Sequence, residues 1–277
     1  MTILHAIILG VLQGVTEFLP ISSSGHLVLA ELLFDLHIAP DDMQGLNILL
    51  HAGTLIALLM VYYETWVNLL LGPVRKDEQH TEKLMMIIIA TLPAALIGFL
   101  YEEVIAMHFQ SLLSVGLAFA FTGLVLILGE CCRDHVQSVW HRLLHPLEDE
   151  PRKLSTRSAF FIGLIQSLAL IPGLSRSGLT ISAGRMMGLT RKDALDFSFL
   201  MAVPIIAGAS FLAIVDLVRG ATRLPEASIT ILAVAVSFVS SYGAILFIRT
   251  FVLRKSLALF TPYLFALSII TIFIAMK

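Results

Sequence analysis

Two polar stretches interrupt an otherwise apolar chain, QGVTEFLPISSSGH at positions 13–26 and QSLALIPGLSRSGLT at positions 166–180. A constant offset of 153 positions aligns one with the other. The matched pairs are Gly10 with Gly163, Gln13 with Gln166, Ser22 with Ser175, Ser24 with Ser177, and Gly25 with Gly178. The stretches therefore look like two copies of one segment, and polar groups kept inside apolar sequence mark the region where function should be sought.

The composition indicates a membrane protein. Hydrophobic residues make up 57% of the 277 positions and charged residues 14%, and the mean hydropathy is +0.90. A soluble domain is normally less apolar than this. The net charge of −2 gives no reason to expect nucleic-acid binding. Cys131 and Cys132, adjacent and the only cysteines, argue against a disulfide framework or a tetrahedral zinc site.

Six stretches approach the roughly 20 apolar residues that a membrane span needs: 46–64, 84–101, 112–130, 197–218, 228–248 and 258–276. The polar stretches lie in two further segments, 3–34 and 156–190, which proline, glycine and serine residues break in the middle. Such residues end helices and favour turns. Non-helical backbone at membrane depth must face protein or a water-filled cavity. The sequence therefore predicts two re-entrant helical hairpins.

Each predicted hairpin is followed by three spans, and an odd number inverts the second copy relative to the first. Inverted repeats with discontinuous helices bring their broken segments together near the middle of the membrane. The predicted fold is an all-α polytopic membrane protein, an inverted-topology repeat of six transmembrane helices plus two re-entrant hairpins. We expect a single integral membrane domain over 1–277, with repeat 1 at about 1–130, a cytoplasmic loop at about 131–157 and repeat 2 at about 158–277.

The basic residues predict an orientation. Loops on one side of this layout carry thirteen of the 18 lysine and arginine residues, and those on the other side carry three. The positive-inside rule makes the richer side cytoplasmic. Both termini and the mouth of the first hairpin would then face outward.

Gln13 and Glu17 are four residues apart and lie on one face of the first half-helix. A carboxylate in a cavity can bind a divalent cation or accept a proton, and an amide can donate to an anion or give its oxygen to a metal. The simpler interpretation is a polar pair on a helix that touches water. His51, inside a predicted span, either borders the same cavity or bonds a neighbouring helix.

Ser22, Ser23, Ser24 and Gly25 precede an apolar run, so they can cap a helix and offer backbone amides to an anion. Ser23 and His26 are within reach of each other across one turn. A hydroxyl beside an imidazole can become an activated nucleophile, or the imidazole can itself attack. Capping serines beside a structurally bonded histidine are the competing interpretation.

The second copy carries Arg176 where the first has Ser23, and Leu170 where the first has Glu17. An arginine at membrane depth needs an anionic partner, and phosphate matches its planar fork. Further donors in this loop come from Ser175, Ser177, Thr180 and the backbone at Gly173 and Gly178. The alternative is that Arg176 does no more than pair with Glu17.

Three motifs resemble those of bacterial undecaprenyl-pyrophosphate phosphatases of the bacitracin-resistance type. They are Gln13-x-x-x-Glu17, Pro20-Ile-Ser22-Ser23-Ser24-Gly25-His26 and Pro172-Gly173-x-Ser175-Arg176-Ser177-x-x-Thr180. The hydrophobic layout is similar to that family along essentially the whole chain. This chain departs from many members by carrying Gln13 where they carry glutamate, which weakens any mechanism that needs two ionised carboxylates on this helix.

The resemblance implies hydrolysis of undecaprenyl pyrophosphate to undecaprenyl phosphate, which recycles the lipid carrier for cell-wall synthesis and protects against bacitracin. It also implies dependence on a divalent cation, Mg²⁺ or Ca²⁺, a homodimer, and a site in the inner membrane that opens to the periplasmic face. Carried over to this chain, Glu17 with Gln13 would handle metal or protons, and Ser23 or His26 would attack. The phosphates would be gripped by Arg176, Ser175 and Thr180.

Two rival functions remain open. Inverted repeats with broken helices are typical of transport, so a transporter or flippase for an anionic lipid or small anion is the main alternative. An acid-phosphatase-like lipid phosphatase is the other, but its Lys-x6-Arg-Pro element is absent and no histidine follows Ser175-Arg176 at its spacing.

Overall fold

The computed structural model describes residues 2–34, 40–131, 153–220 and 226–277. Every regular element in these ranges is helical, so the all-α prediction is confirmed. The predicted cytoplasmic loop at about 131–157 lies mostly outside the described residues, and so does Cys132.

The described part of the first half of the chain forms six helices: α1 (Ile3–Phe18), α2 (Ser23–Leu33), α3 (Pro40–Val61), α4 (Tyr63–Arg75), α5 (Glu78–Phe109) and α6 (Leu112–Cys131). The described part of the second half forms five: α7 (Thr156–Leu168), α8 (Arg176–Met186), α9 (Arg191–Val218), α10 (Ala227–Arg254) and α11 (Thr261–Ala275). A 3-10 turn, Leu257–Phe260, leads into α11.

Five helical segments of the described chain are long and apolar enough to cross a membrane: Glu78–Tyr101, Leu112–Cys131, Arg191–Val218, Ala227–Arg254 and Leu257–Ala275. The count rises to six if α3 and α4, which meet at an angle of 75°, form one broken span. The sequence predicts an unbroken span over 46–64, whereas α3 ends at Val61 and α4 turns away from it. The chain is therefore a multi-pass membrane protein.

Both polar stretches contain the predicted helix break. Ser22 caps α2, and its Oγ accepts a hydrogen bond of 3.2 Å from the amide of Gly25. Ser175 caps α8 in the same way through the amide of Gly178, at 3.1 Å. In each copy the two half-helices also pack against each other. Serine capping at the helix start therefore divides both segments at equivalent positions.

Glycines let each leading half-helix approach a helix from the other half of the chain. Helix α1 lies along α10, and α7 lies along α5. A Cβ atom at Gly10 would collide with the backbone oxygen of Ala233, and one at Gly163 would collide with that of Ala90. The two halves are therefore interlocked at matched glycines, because a larger side chain would separate the helices.

Aromatic packing positions the end of α1, whereas many large apolar side chains lie outside. Phe18 and Phe199 are fully buried, and their rings meet edge to face with centroids 5.2 Å apart. Because Phe18 follows Glu17 in the chain, this contact fixes the position of the backbone that carries Glu17. On the outer surface, Phe99 and Ile269 are 77% and 70% exposed. So much exposed apolar surface suits lipid rather than water.

A buried ion pair joins the last turn of α6 to the first turn of α9. The Nε and Nη2 atoms of Arg191 lie 3.1 and 2.8 Å from Oε2 of Glu130. Nη2 of Arg185, at the end of α8, lies 3.7 Å from the same oxygen. Three helices meet around one carboxylate, away from the cavity described next.

Candidate functional site

Glu17 is the centre of a hydrogen-bond cluster that draws on both polar stretches. Its Oε1 accepts from Nη2 of Arg176 at 2.7 Å, and its Oε2 accepts from Oγ of Ser23 at 2.7 Å and from Nε2 of Gln13 at 3.1 Å. The Glu17 and Arg176 side chains are only 8% and 13% exposed. The Glu17 carboxylate, the Ser23 hydroxyl and the Arg176 guanidinium thus meet where little water reaches them. Charges interact more strongly there than in water.

Two further hydrogen bonds hold the loops of the two copies together. The amide of Gly173 donates to Oγ of Ser24 at 3.2 Å, and Oγ of Ser177 donates to the carbonyl of Leu19 at 3.0 Å. Gly25 lies close to the second loop, because a Cβ atom there would stand 3.3 Å from Cα of Gly173 and would also press into the ring of Phe119 on α6. The relative position of Glu17 and Arg176 is therefore set by several contacts and not by their ion pair alone.

A cavity of about 210 Å³ opens beside this cluster. Its polar wall consists of Thr16, Glu17, Ser22, Ser23, Ser24, His51, Gln166, Ser175 and Arg176. Its apolar wall consists of Ala94, Ala169, Leu170, Leu174, Ile205, Ile206 and Ala209. A ligand with a charged headgroup and an apolar tail matches such a divided lining.

Six of the predicted site residues lie behind this wall: Gln13, His26, Gly25, Gly173, Ser177 and Thr180. Their polar groups are mostly bonded within the chain, and Oε1 of Gln13 is the exception. The amides of Gly25 and Gly173 already donate to serine hydroxyls, and Oγ1 of Thr180 donates to the carbonyl of Arg176 at 2.8 Å. The amides of these two glycines, which the sequence predicts as anion donors, are therefore already bonded to serine side chains of the loops.

The expected contact between Ser23 and His26 is not formed. Nδ1 of His26 lies 2.6 Å from the carbonyl of Ser22, and Nε2 lies 2.6 Å from the hydroxyl of Tyr263. A carbonyl only accepts, so Nδ1 carries the proton and Nε2 accepts from Tyr263. Both ring nitrogens are thus occupied, and Ser23 donates to Glu17 rather than to the imidazole.

Three polar cavity residues are absent from the predicted set. Thr16 is one, and its Oγ1 donates to the carbonyl of Leu12 on its own helix. His51, which the sequence leaves between two interpretations, borders the cavity with Nε2 3.6 Å from Oε2 of Glu17. Its Nδ1 is bound to the carbonyl of Asn47 at 2.7 Å. Gln166 is visible in the alignment of the two copies. It carries no sequence signal of its own, since the position four residues later is Leu170 and not an acid.

The side chains of the site suit a cation held jointly by the protein and a ligand, and not one held by the protein alone. Within the described ranges, no three His, Cys, Asp or Glu side chains gather closely enough to hold a metal ion. However, Oε1 of Gln13 is buried without a hydrogen-bond partner, next to the Glu17 carboxylate. Mg²⁺ is commonly held by one or two carboxylates together with substrate phosphates. Glu17 and Gln13 fit that pattern if a ligand supplies the remaining oxygens.

Comparison with known proteins matches residues 6–270 to the model of one family, described as bacitracin resistance protein BacA. The undecaprenyl-diphosphatase of Pelotomaculum thermopropionicum is 35% identical over 264 residues, covering 95% of this chain and 93% of that protein. The undecaprenyl-diphosphatase of Streptococcus mutans is 34% identical, covering 98% and 95%. Undecaprenyl-diphosphatase 2 of Burkholderia thailandensis is 39% identical, covering 95% and 93%. With the family model spanning nearly the whole chain and relatives this similar, the chain belongs to the bacitracin resistance protein BacA family.

Proposed function

We propose that this chain is a membrane phosphatase that hydrolyses undecaprenyl pyrophosphate to undecaprenyl phosphate and inorganic phosphate. One observation carries the proposal. In a cavity with one polar and one apolar wall, the Arg176 guanidinium and the Ser23 hydroxyl meet on the Glu17 carboxylate. Phosphoryl transfer depends mainly on positioning and on neutralising charge, and this arrangement supplies both beside a nucleophile.

In the proposed mechanism, Arg176 holds the diphosphate while Ser23 attacks. Nη1 of Arg176 is buried without a hydrogen-bond partner, so the guanidinium has a donor to spare for a phosphate oxygen. Ser23 Oγ forms a bond to the terminal phosphorus as the bond from that phosphorus to the bridging oxygen breaks, and undecaprenyl phosphate leaves with that oxygen. The proton of Ser23 passes to Glu17, to which it already donates. Water then attacks the phosphorus of the phosphoserine, and one proton of the water stays on the phosphate. The bond from phosphorus to Oγ breaks, Glu17 returns its proton to Oγ, and inorganic phosphate leaves.

His26 has a supporting place in this mechanism. Its Nε2 accepts from Tyr263 and its Nδ1 donates to the Ser22 carbonyl, so it holds the residue before Ser23 in position. Attack by the imidazole would first require the Tyr263 hydrogen bond to break. The geometry therefore favours Ser23 as the nucleophile.

We also propose that Glu17 and Gln13 hold a divalent cation, Mg²⁺ or Ca²⁺, together with the substrate. The carboxylate of Glu17 is matched by one guanidinium in the resting site, so an incoming diphosphate adds negative charge that Arg176 alone does not balance. When bound, the cation would neutralise phosphate oxygens in the transition state. Phosphate release that persists at the full rate in chelator would refute this proposal.

The finer architecture that we propose is an inverted-topology repeat of six spans and two re-entrant hairpins in one membrane domain. It is supported by the packing of each leading half-helix against a helix of the other half of the chain. Helix α1 packs on α10 at Gly10, and α7 packs on α5 at the matched Gly163. The distribution of basic residues supports outward termini, a cytoplasmic loop at about 131–157 and a site that opens to the periplasmic side of the inner membrane. The homodimer is proposed from the family resemblance and is tested by cross-linking in membranes.

The decisive experiment for function is phosphate release from undecaprenyl pyrophosphate by the purified protein in detergent. We expect inorganic phosphate and undecaprenyl monophosphate in equal amounts. A transporter or flippase needs two compartments and would release no phosphate under these conditions. Intact lipid after incubation with folded protein and cation would therefore refute the phosphatase assignment in favour of that alternative.

A further inference from the structure

Gln166 is a buried polar side chain with no partner inside the protein. It lies on α7, is 2% exposed and borders the cavity. Neither its Nε2 nor its Oε1 has a hydrogen-bond partner, and both atoms are shielded from solvent. Folded proteins rarely leave a buried amide unsatisfied, and such a group next to a cavity calls for an explanation.

The matching residue of the first copy shows what Gln166 lacks. Gln13 donates through Nε2 to Glu17, four residues later on the same face of α1. In the second copy, the residue four positions after Gln166 is Leu170, which offers no acceptor. The hydroxyl of the neighbouring Ser167 is bound to the carbonyl of Gly163. The amide nitrogen of Gln166 thus has no acceptor in the protein, whereas that of Gln13 donates to Glu17.

A second unsatisfied donor lies in the same polar wall. Arg176 binds Glu17 through Nη2, but its Nη1 is buried without a partner. An amide donor and a guanidinium donor therefore both come from the second copy and both lack acceptors in the protein. An anion with several oxygens is the ligand that satisfies donors of this kind together.

We propose that Gln166 is a substrate-binding residue whose amide donates to a phosphate oxygen of the diphosphate headgroup, alongside Arg176. This inference rests on the proposed function. The amide takes no part in bond formation or proton transfer. Its hydrogen bond therefore contributes equally to substrate binding and to the transition state. Its loss should raise KM and leave kcat nearly unchanged.

The test compares Gln166→Leu and Gln166→Glu with wild type. Leucine removes both polar atoms at similar volume, and glutamate keeps the shape but brings a negative charge toward the phosphates. Gln110→Leu, at the exposed end of α5, is the matched control. The readouts are KM and kcat for the lipid, the dissociation constant of inorganic pyrophosphate by calorimetry, and the melting temperature.

For Gln166→Leu we expect KM and the pyrophosphate dissociation constant to rise about tenfold or more, as loss of a hydrogen bond to a charged group does. Its kcat should stay within about twofold of wild type. Its melting temperature should not fall, because an unpaired buried amide has been replaced by an apolar group. Gln166→Glu should weaken pyrophosphate binding further, and Gln110→Leu should match wild type.

Wild-type KM and pyrophosphate affinity in Gln166→Leu would overturn the inference. A lower melting temperature with unchanged pyrophosphate affinity would do the same, because it would assign Gln166 to structure. If wild type binds pyrophosphate but releases no phosphate from the lipid, the proposed function fails, and the calorimetric comparison still decides the role of Gln166.

Discussion

The two polar segments share a scaffold and differ in their chemistry. Both are divided by a capping serine, Ser22 or Ser175, whose Oγ accepts from the glycine three residues later. The first then supplies an acid and a hydroxyl, and the second supplies a guanidinium. The site forms where these unlike groups meet on Glu17. Equivalent positions in the two copies build the loops, and non-equivalent positions carry the reaction.

The loops also differ in backbone conformation. Ser22 has a φ of +71°, a left-handed value that is unusual for a residue with a side chain, whereas Ser175 has a φ of −84°. Left-handed backbone at a residue other than glycine is costly and concentrates at functional sites. The strained conformation belongs to the copy that carries the proposed nucleophile, next to Ser23.

Removing the guanidinium of the second copy should have the largest effect. Arg176→Ala should lower kcat/KM by about 10⁴-fold, because a phosphate-clamping arginine contributes roughly 10³ to 10⁵ in phosphoryl transfer. Arg176→Lys keeps the charge without the planar fork and should recover only part of the rate. The measurement is phosphate release in detergent. A rate close to wild type for Arg176→Ala would show that the guanidinium of the second copy takes no part in the reaction.

Removing the hydroxyl of the first copy should have the next largest effect. Ser23→Ala should lower kcat by about 10³-fold and leave some activity, because the charges and positioning of the site remain. With substrate labelled at the terminal phosphate, wild type should retain label on the quenched protein and Ser23→Ala should not.

Ser24→Ala is the matched control for that experiment. Ser24 borders the same cavity but accepts from Gly173 instead of contacting Glu17. We expect a loss of about tenfold at most, the scale of one neutral hydrogen bond. Covalent label that survives in Ser23→Ala would transfer the nucleophilic role to another residue.

A smaller effect should follow from a contact that the second copy lacks, since Leu179 stands where the first copy has His26. Tyr263→Phe removes the hydroxyl that donates to Nε2 of His26. We expect kcat to fall roughly threefold to tenfold and stability by about 1 kcal/mol, typical of one lost hydrogen bond. A loss as large as that of Ser23→Ala would instead make the His26–Tyr263 pair part of proton transfer.

The sequence predicted the helical class, the breaks in both polar segments and the residues that meet on Glu17. Those features depend on local signals, namely apolar length, capping serines and ionisable residues inside apolar sequence. It did not predict the break after Val61, nor the capture of His26 by Tyr263, which is 237 positions away along the chain. It also omitted Gln166, because an amide signals function only when its surroundings leave it without a partner. Long-range packing decides these features.

A double-mutant cycle between Glu17 and Arg176 determines whether the two copies act as one catalytic unit. Glu17→Gln, Arg176→Lys and the double variant would be compared with wild type in kcat/KM for the lipid diphosphate. Residues of one unit lose activity non-additively, so we expect a double variant only slightly slower than the slower single variant. A double variant whose loss equals the product of the two single losses would show that the two residues, and with them the two copies, act independently.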